Sequence, residues 1–305
     1  MAVVYWFKPF MASIAENRSE ARPPGGRARQ LPWGAIIWTG LLLVVCYAPV
    51  LARLVRQWAA DDDMGHGFFV PVVAGYIVWK MRGELMAEPV STNWWGLALV
   101  VYGALQVTVA TLAAELFLAR TAFIISLVGA VLFTCGTRCT RKLAFPLFLL
   151  VFMVPIPAIV YTQITFPLQL LASRVAEAAL SLIGIPVMRD GNILELPSQR
   201  LSVVEACSGI RSLLSLTFLS LVYAYFFDEK RWMRPVLLIA TVPIAIVANA
   251  FRVTLSGILS EYKKELAEGF SHALSGWVIF MIALVILVAF HHGVNAVYRR
   301  WHARG

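Results

Sequence analysis

The sequence predicts an all-α fold, a polytopic α-helical integral membrane protein with about eight transmembrane helices, and three observations predict it. Of 305 residues, 60% are apolar and only 14% charged, about half the charged fraction of an ordinary soluble domain. Uncharged runs recur at 33–52, 95–114, 121–137, 212–227 and 273–290, most near the roughly 17 to 25 residues a spanning helix needs. The net charge is +9, but the basic residues sit in the loops between apolar runs. That pattern sets membrane orientation and does not call for a nucleic-acid partner.

Taken in order, residues 1–30 form a basic arm around Pro23-Pro24-Gly25-Gly26, expected to be disordered and cytoplasmic. The membrane domain covers 31–298, and 299–305 is a basic cytoplasmic tail. Spans are expected at 33–52, 67–81, 95–114, 121–137, 143–161, 207–227, 235–257 and 273–297, the second being the shortest apolar stretch. The first run is too long for a signal-peptide core and lacks a cleavage site, so it stays as an anchor. With both termini inside, 16 of the 26 basic residues fall on the cytoplasmic side. Asp61-Asp62-Asp63 and the longest loop, 162–206, fall outside. In that loop Pro155, Pro157 and Pro167 break or bend the fifth span, and 168–184 reads as an amphipathic segment along the interface. Residues 192–206 alternate around Pro197-Ser198-Gln199, the pattern of a β-hairpin.

The hairpin leads into Glu205-Ala206-Cys207-Ser208-Gly209-Ile210-Arg211. A thiol at a helix start feels the positive end of the helix dipole, and Arg211 one turn on also favours thiolate, while Glu205 opposes both. A lone membrane-helix cysteine is ordinarily an inert small hydrophobe. On the expected topology, however, Cys207 has no outer partner for a disulfide, since Cys46 lies within a span and Cys135 and Cys139 lie near the cytoplasm. Arg252 in Asn249-Ala250-Phe251-Arg252 is 17 residues past Pro235, about 26 Å along a helix and so near the outer face. Asn249 shares its helical face. His272 opens the last span. A nucleophile, a cation for an oxyanion and a proton-transfer group form a complete set for acyl transfer.

Val204 to Arg211, then Asn249 to Arg252, then the isolated His272 resemble the ordered Cys, Arg, His pattern of exosortases. Trp58 with Gly65-His66-Gly67-Phe68 and Val70-Pro71, and the stretch from Pro146 to Pro157, are also similar. The resemblance spans about 40–298 and is closest to the exosortase A group, although no soluble domain follows the last helix here. It implies a bacterial inner-membrane cysteine transpeptidase with its site at the periplasmic face and no cofactor or metal. Its partners would be exported proteins bearing a C-terminal Pro-Glu-Pro motif, a hydrophobic helix and a basic tail, besides membrane lipids. Cys207 would form a thioester, Arg252 would steady the oxyanion and His272 would protonate the leaving amine. Glu205, Arg211, Asn249 and the loop residue His66 are supporting candidates.

Rival chemistries lack their residues. A His-Glu-x-x-His zinc motif is absent, and all five Asp residues fall in loops, against an aspartyl protease. His291 and Asn295 stand at helical spacing, as in a prenyl-protein peptidase, but the paired-Glu motif is missing. Cys135 and Cys139 share a helical face without the histidines a metal site wants. Trp33, Trp94 and Trp95 read as an interfacial belt. A polytopic transporter is the alternative from another class, against which no inverted repeat is visible.

Overall fold

The structure of the protein, a computed structural model, describes residues 33–203, 210–228, 230, 232–262 and 269–302. Two helices, α1 (Trp33–Cys46) and α2 (Ala48–Ala60), lead into a 3₁₀ turn, Asp62–Phe68. Then come α3 (Phe69–Lys80), α4 (Arg82–Met86), α5 (Trp94–Leu112), α6 (Leu116–Lys142), α7 (Ala144–Leu149) and α8 (Ala158–Leu182). Three short strands follow, β1 (Met188–Asp190), β2 (Ile193–Glu195) and β3 (Arg200–Ser202). The chain closes with α9 (Ile210–Phe227), α10 (Met233–Tyr262) and α11 (Gly269–His302).

Among the described residues four helices are long and apolar enough to cross a membrane, α5, α6, α10 and the 276–302 part of α11. Two bent pairs raise the number to six if each pair is one span. The first expected span, 33–52, is divided: α1 stops at Cys46 and α2 leaves it at 70°. Pro49 in the first turn of α2 fits a new helix start, since proline lacks the N–H that an ongoing helix would use. Arg53, Arg56 and Gln57 then give α2 a polar face. The fifth expected span breaks at 154–157, where 144–153 and α8 meet at 84°. Pro167, in contrast, sits inside the continuous 25-residue α8, so 168–184 is not a separate interfacial helix. Bent but unbroken helices at proline occur where packing holds both sides. The apolar helices α3 and 213–227 of α9 are shorter than a full span. The arm 1–30 and residues 303–305 lie outside the described residues, and α11 continues past residue 298 to His302.

The strands pair antiparallel in the order β1-β2-β3, with Met188 opposite Glu195 and Ile193 opposite Ser202. The β1–β2 turn uses Gly191 at φ +62°, backbone that glycine adopts without a Cβ penalty. Strand β1 has no counterpart in the alternation read from 192–206. It joins the sheet because its pairing reaches back across that turn.

Helices α5 and α6 form the closest pair, with glycines at the contact. A Cβ at Gly96 would lie 2.3 Å from the Phe133 backbone nitrogen, the small-residue approach that membrane helices use in place of hydrophobic drive. Tyr47, between α1 and α2, ties that junction to α6 through its hydroxyl, 2.8 Å from Ser126 Oγ. Helix α6 kinks at Gly136 (φ +81°). Many large apolar side chains face outward, Leu105, Val109, Trp277, Val285 and Phe251 among them, as expected where lipid is the solvent.

Candidate active site

One end of the α9–α10–α11 bundle gathers the described candidates. Helices α9 and α10 are separated by only five residues of sequence, 228–232, and pack against each other, as antiparallel neighbours do. Arg252 stands 19 residues past Met233, about 28 Å along α10. The 17 steps of α9 span about 26 Å, so Arg252 lies level with the first turn of α9.

Arg252 is half-buried, and its guanidinium is set against the backbone of α11. A Cβ built on Gly276 would lie 2.7 Å from Arg252 Nη2 and 2.9 Å from Cζ. Residue 272 is one turn earlier on the same helix. The next residue of α10, Val253, is fully buried with Val203, Leu194, Leu201 and Ala176. This cluster locks the sheet and α8 onto α10 beside Arg252. Leu180 of α8 reaches Gly257, where a Cβ would sit 3.0 Å from its Cδ1. The β2–β3 turn is fastened as well: Ser198 donates to Glu261 Oε1 through its backbone N–H at 3.1 Å and its hydroxyl at 2.6 Å. Asn249 lies on α10 one turn before Arg252 and is 6% exposed.

His66 joins this neighbourhood from far away in sequence. Its Nδ1 lies 3.5 Å from Ser215 Oγ and its ring 6.5 Å from that of Phe218, both on α9. Ser215 is about 8 Å along α9 from Ile210. The 3₁₀ turn is seated by Trp58, whose indole donates to the Met153 carbonyl at 2.9 Å. Gly67 allows this, since a Cβ there would lie 2.5 Å from Trp58 Nε1. The residues Trp58, His66, Gly67 and the proline-broken 146–157 stretch thus meet as one packed unit against α9.

Of the residues singled out in the sequence, Arg252, Asn249 and His66 are placed by the structure. Cys207 and Glu205 lie outside the described residues. So do the side chains of Arg211, on α9, and of His272, on α11. Sequence reasoning missed Gly276; the available signal was a glycine one turn after His272. It also missed Ser215.

A family profile described as transmembrane exosortase matches residues 58–289. The chain belongs to the transmembrane exosortase family. No curated protein and no solved structure matches it. Exosortases are membrane cysteine transpeptidases that act on exported proteins with C-terminal signals. The matched stretch begins at Trp58 and includes every element just described, from the 3₁₀ turn of His66 to the Gly276 turn of α11.

The other end of this exosortase bundle holds a second polar group of residues. Tyr223 hydroxyl lies 2.9 Å from His291 Nδ1, and His291 Nε2 lies 2.8 Å from Asp228 Oδ2. Asn295 donates to the same Asp228 oxygen at 2.9 Å, and the Lys230 backbone N–H to the other at 2.7 Å. Lys230 also reaches Asn295 Oδ1 with its ammonium. Burial pushes the Asp228 carboxyl up, but the hydrogen bonds from Asn295, His291 and the Lys230 backbone outweigh it and hold the group at about 2.

Proposed function

We propose that this exosortase cleaves the Pro-Glu-Pro-type C-terminal sorting signal of exported proteins through a thioester on Cys207, at the periplasmic face of a bacterial inner membrane. The Cys207 thiolate attacks the peptide carbonyl near the motif. Arg252 donates hydrogen bonds to the oxygen as negative charge develops, and His272 gives a proton to the amide nitrogen as the C–N bond breaks. The C-terminal fragment leaves as an amine, the thioester remains, and an incoming nucleophile releases the product with thiolate restored. Surface sorting linked to exopolysaccharide and biofilm systems is the setting that such an activity serves.

The observation that carries this reading is the seat of Arg252, pressed onto α11 at Gly276 one turn from residue 272. The burial of Val253 with Val203 adds to it. Cys207 follows Val203 by four residues of sequence, at most about 14 Å of chain. Asn249, His66, Glu205 and Arg211 are assigned supporting roles around them.

The test is co-expression of the full chain with an exported target ending in a Pro-Glu-Pro motif, a hydrophobic helix and a basic tail. Cys207→Ala and Cys207→Ser are expected to abolish the mobility shift of the target while the exosortase reaches normal membrane abundance. Continued cleavage in either variant sinks the nucleophile assignment. Sidedness has its own check. A membrane-impermeant maleimide added outside the inner membrane should label Ser198→Cys and spare Lys230→Cys, and the reverse pattern would put the site in the cytoplasm.

A further inference from the structure

A third feature lies off both ends of that bundle, where α2 meets the α5–α6 hairpin. A cavity of about 370 Å³ is lined there by Arg53, Thr108, Thr111, Glu115 and Arg120, with Leu112 and Leu116 also on its wall. Arg120 is 5% exposed. Among the described residues its one hydrogen bond runs from Nη2 to the neutral Gln57 Oε1 at 2.6 Å, and its buried Nε has no partner. Among the described residues no carboxylate lies within ion-pairing distance of it. The nearest candidate, Glu115, is engaged in capping α6, accepting from the Leu118 backbone N–H at 2.7 Å.

A guanidinium taken out of water without a directly paired carboxylate, with Glu115 acting on it only from beyond ion-pair distance, is costly for a fold to hold, and in a membrane protein such a charge is a site hypothesis by default. Two guanidiniums and one committed carboxylate leave the cavity with excess positive charge. The N-terminus of the 27-residue α6 opens beside it and adds donors of the same sign. Planar guanidinium forks suit the paired oxygens of phosphate. The setting distinguishes a lipid from a small ion. Leu112 and Leu116 are 85% and 41% exposed and continue into the outward-facing apolar row of Val109 and Leu105, so a group held at Arg120 has a surface for acyl chains beside it. We propose that this cavity binds the phosphate of a membrane phospholipid headgroup, with Arg120 and Arg53 as its counter-charges and the α5 face carrying the chains. The proposal does not depend on the transpeptidase reading.

The test uses the purified full chain in an uncharged maltoside detergent, following its thermal midpoint with three additives at equal concentration: phosphatidylglycerol, an uncharged diacyl glycolipid, and inorganic phosphate. Phosphatidylglycerol is expected to raise the midpoint by a few degrees and the other two to leave it unchanged. Arg53→Ala, at an exposed position, should keep the fold and lose most of the shift, as should Arg120→Gln. Arg174→Ala, on α8 away from the cavity, should keep all of it. If Arg120→Gln fails to fold, Arg53→Ala decides alone. A shift that survives Arg53→Ala, or that the glycolipid reproduces, overturns the site. An equal shift from inorganic phosphate overturns the lipid assignment and leaves a free-anion site.

Discussion

The two ends of the α9–α10–α11 bundle both concentrate polar side chains, yet they are built on different terms. At the Asp228 end, Tyr223, His291, Asp228, Asn295 and Lys230 bond one another, and His291 and Asp228 are 3% and 7% exposed. At the Arg252 end the cation is half-buried, and its guanidinium is set down on a helix at a glycine where an added Cβ would crowd it. Mutual satisfaction in a low-dielectric interior gives cohesion, and it leaves no face for a substrate. At the Arg252 end the cation itself stays partly exposed.

The sharpest way to break that contrast is at the cation itself. Arg252→Lys keeps the charge but loses the planar fork, and processing should fall by about 10² to 10³. Arg211→Lys, on the same helix as Cys207 by sequence, should keep measurable activity. Equal or inverted losses at matched abundance would mean that the oxyanion role belongs to Arg211.

Next in size is Gly276→Ala. The added methyl meets only the far end of a flexible side chain, so the guanidinium shifts and the fold does not. Misplacing a catalytic group by about 1 Å can cost up to about 100-fold, and a loss of roughly 10- to 100-fold is expected with the thermal midpoint within a degree or two of wild type. An unchanged rate would show that the apposition does not position Arg252. A lowered midpoint would show that the glycine serves packing.

The smallest effect on turnover belongs to the opposite end. Asp228→Asn removes the carboxylate charge and leaves a single acceptor oxygen where His291 and Asn295 meet Oδ2 and the Lys230 backbone N–H meets Oδ1, so stability should drop by about 1 to 3 kcal/mol, with processing per folded molecule unchanged. The pH dependence follows from the sign of the shift. Because the folded carboxyl is held at about 2, below its ordinary value, its stabilisation is complete above about pH 4 and is lost as pH falls from about 4 to 2. Thermal midpoints over that range should fall more steeply for wild type than for Asp228→Asn. Parallel curves would remove Asp228 from the account of cohesion.

The membrane class, the main helices and the family were legible in the sequence, because hydropathy and motif spacing are local properties of the chain. The proline-rich stretch was legible only in part. Pro155 and Pro157 break the chain, whereas Pro167 is carried inside α8, where Thr165 before it and Gln169, Ala172, Ala176 and Leu180 after it are buried against neighbours. Nothing local distinguishes these prolines. Equally non-local are the seating of His66 on α9 by Trp58 and Met153, the docking of Arg252 on Gly276, and the cavity around Arg120. Each depends on which side chain from a distant segment occupies the space beside a glycine or a buried charge. Composition and periodicity establish which residues prefer lipid and how long the helices run; the partner across the contact is decided by packing between helices, which no single segment encodes.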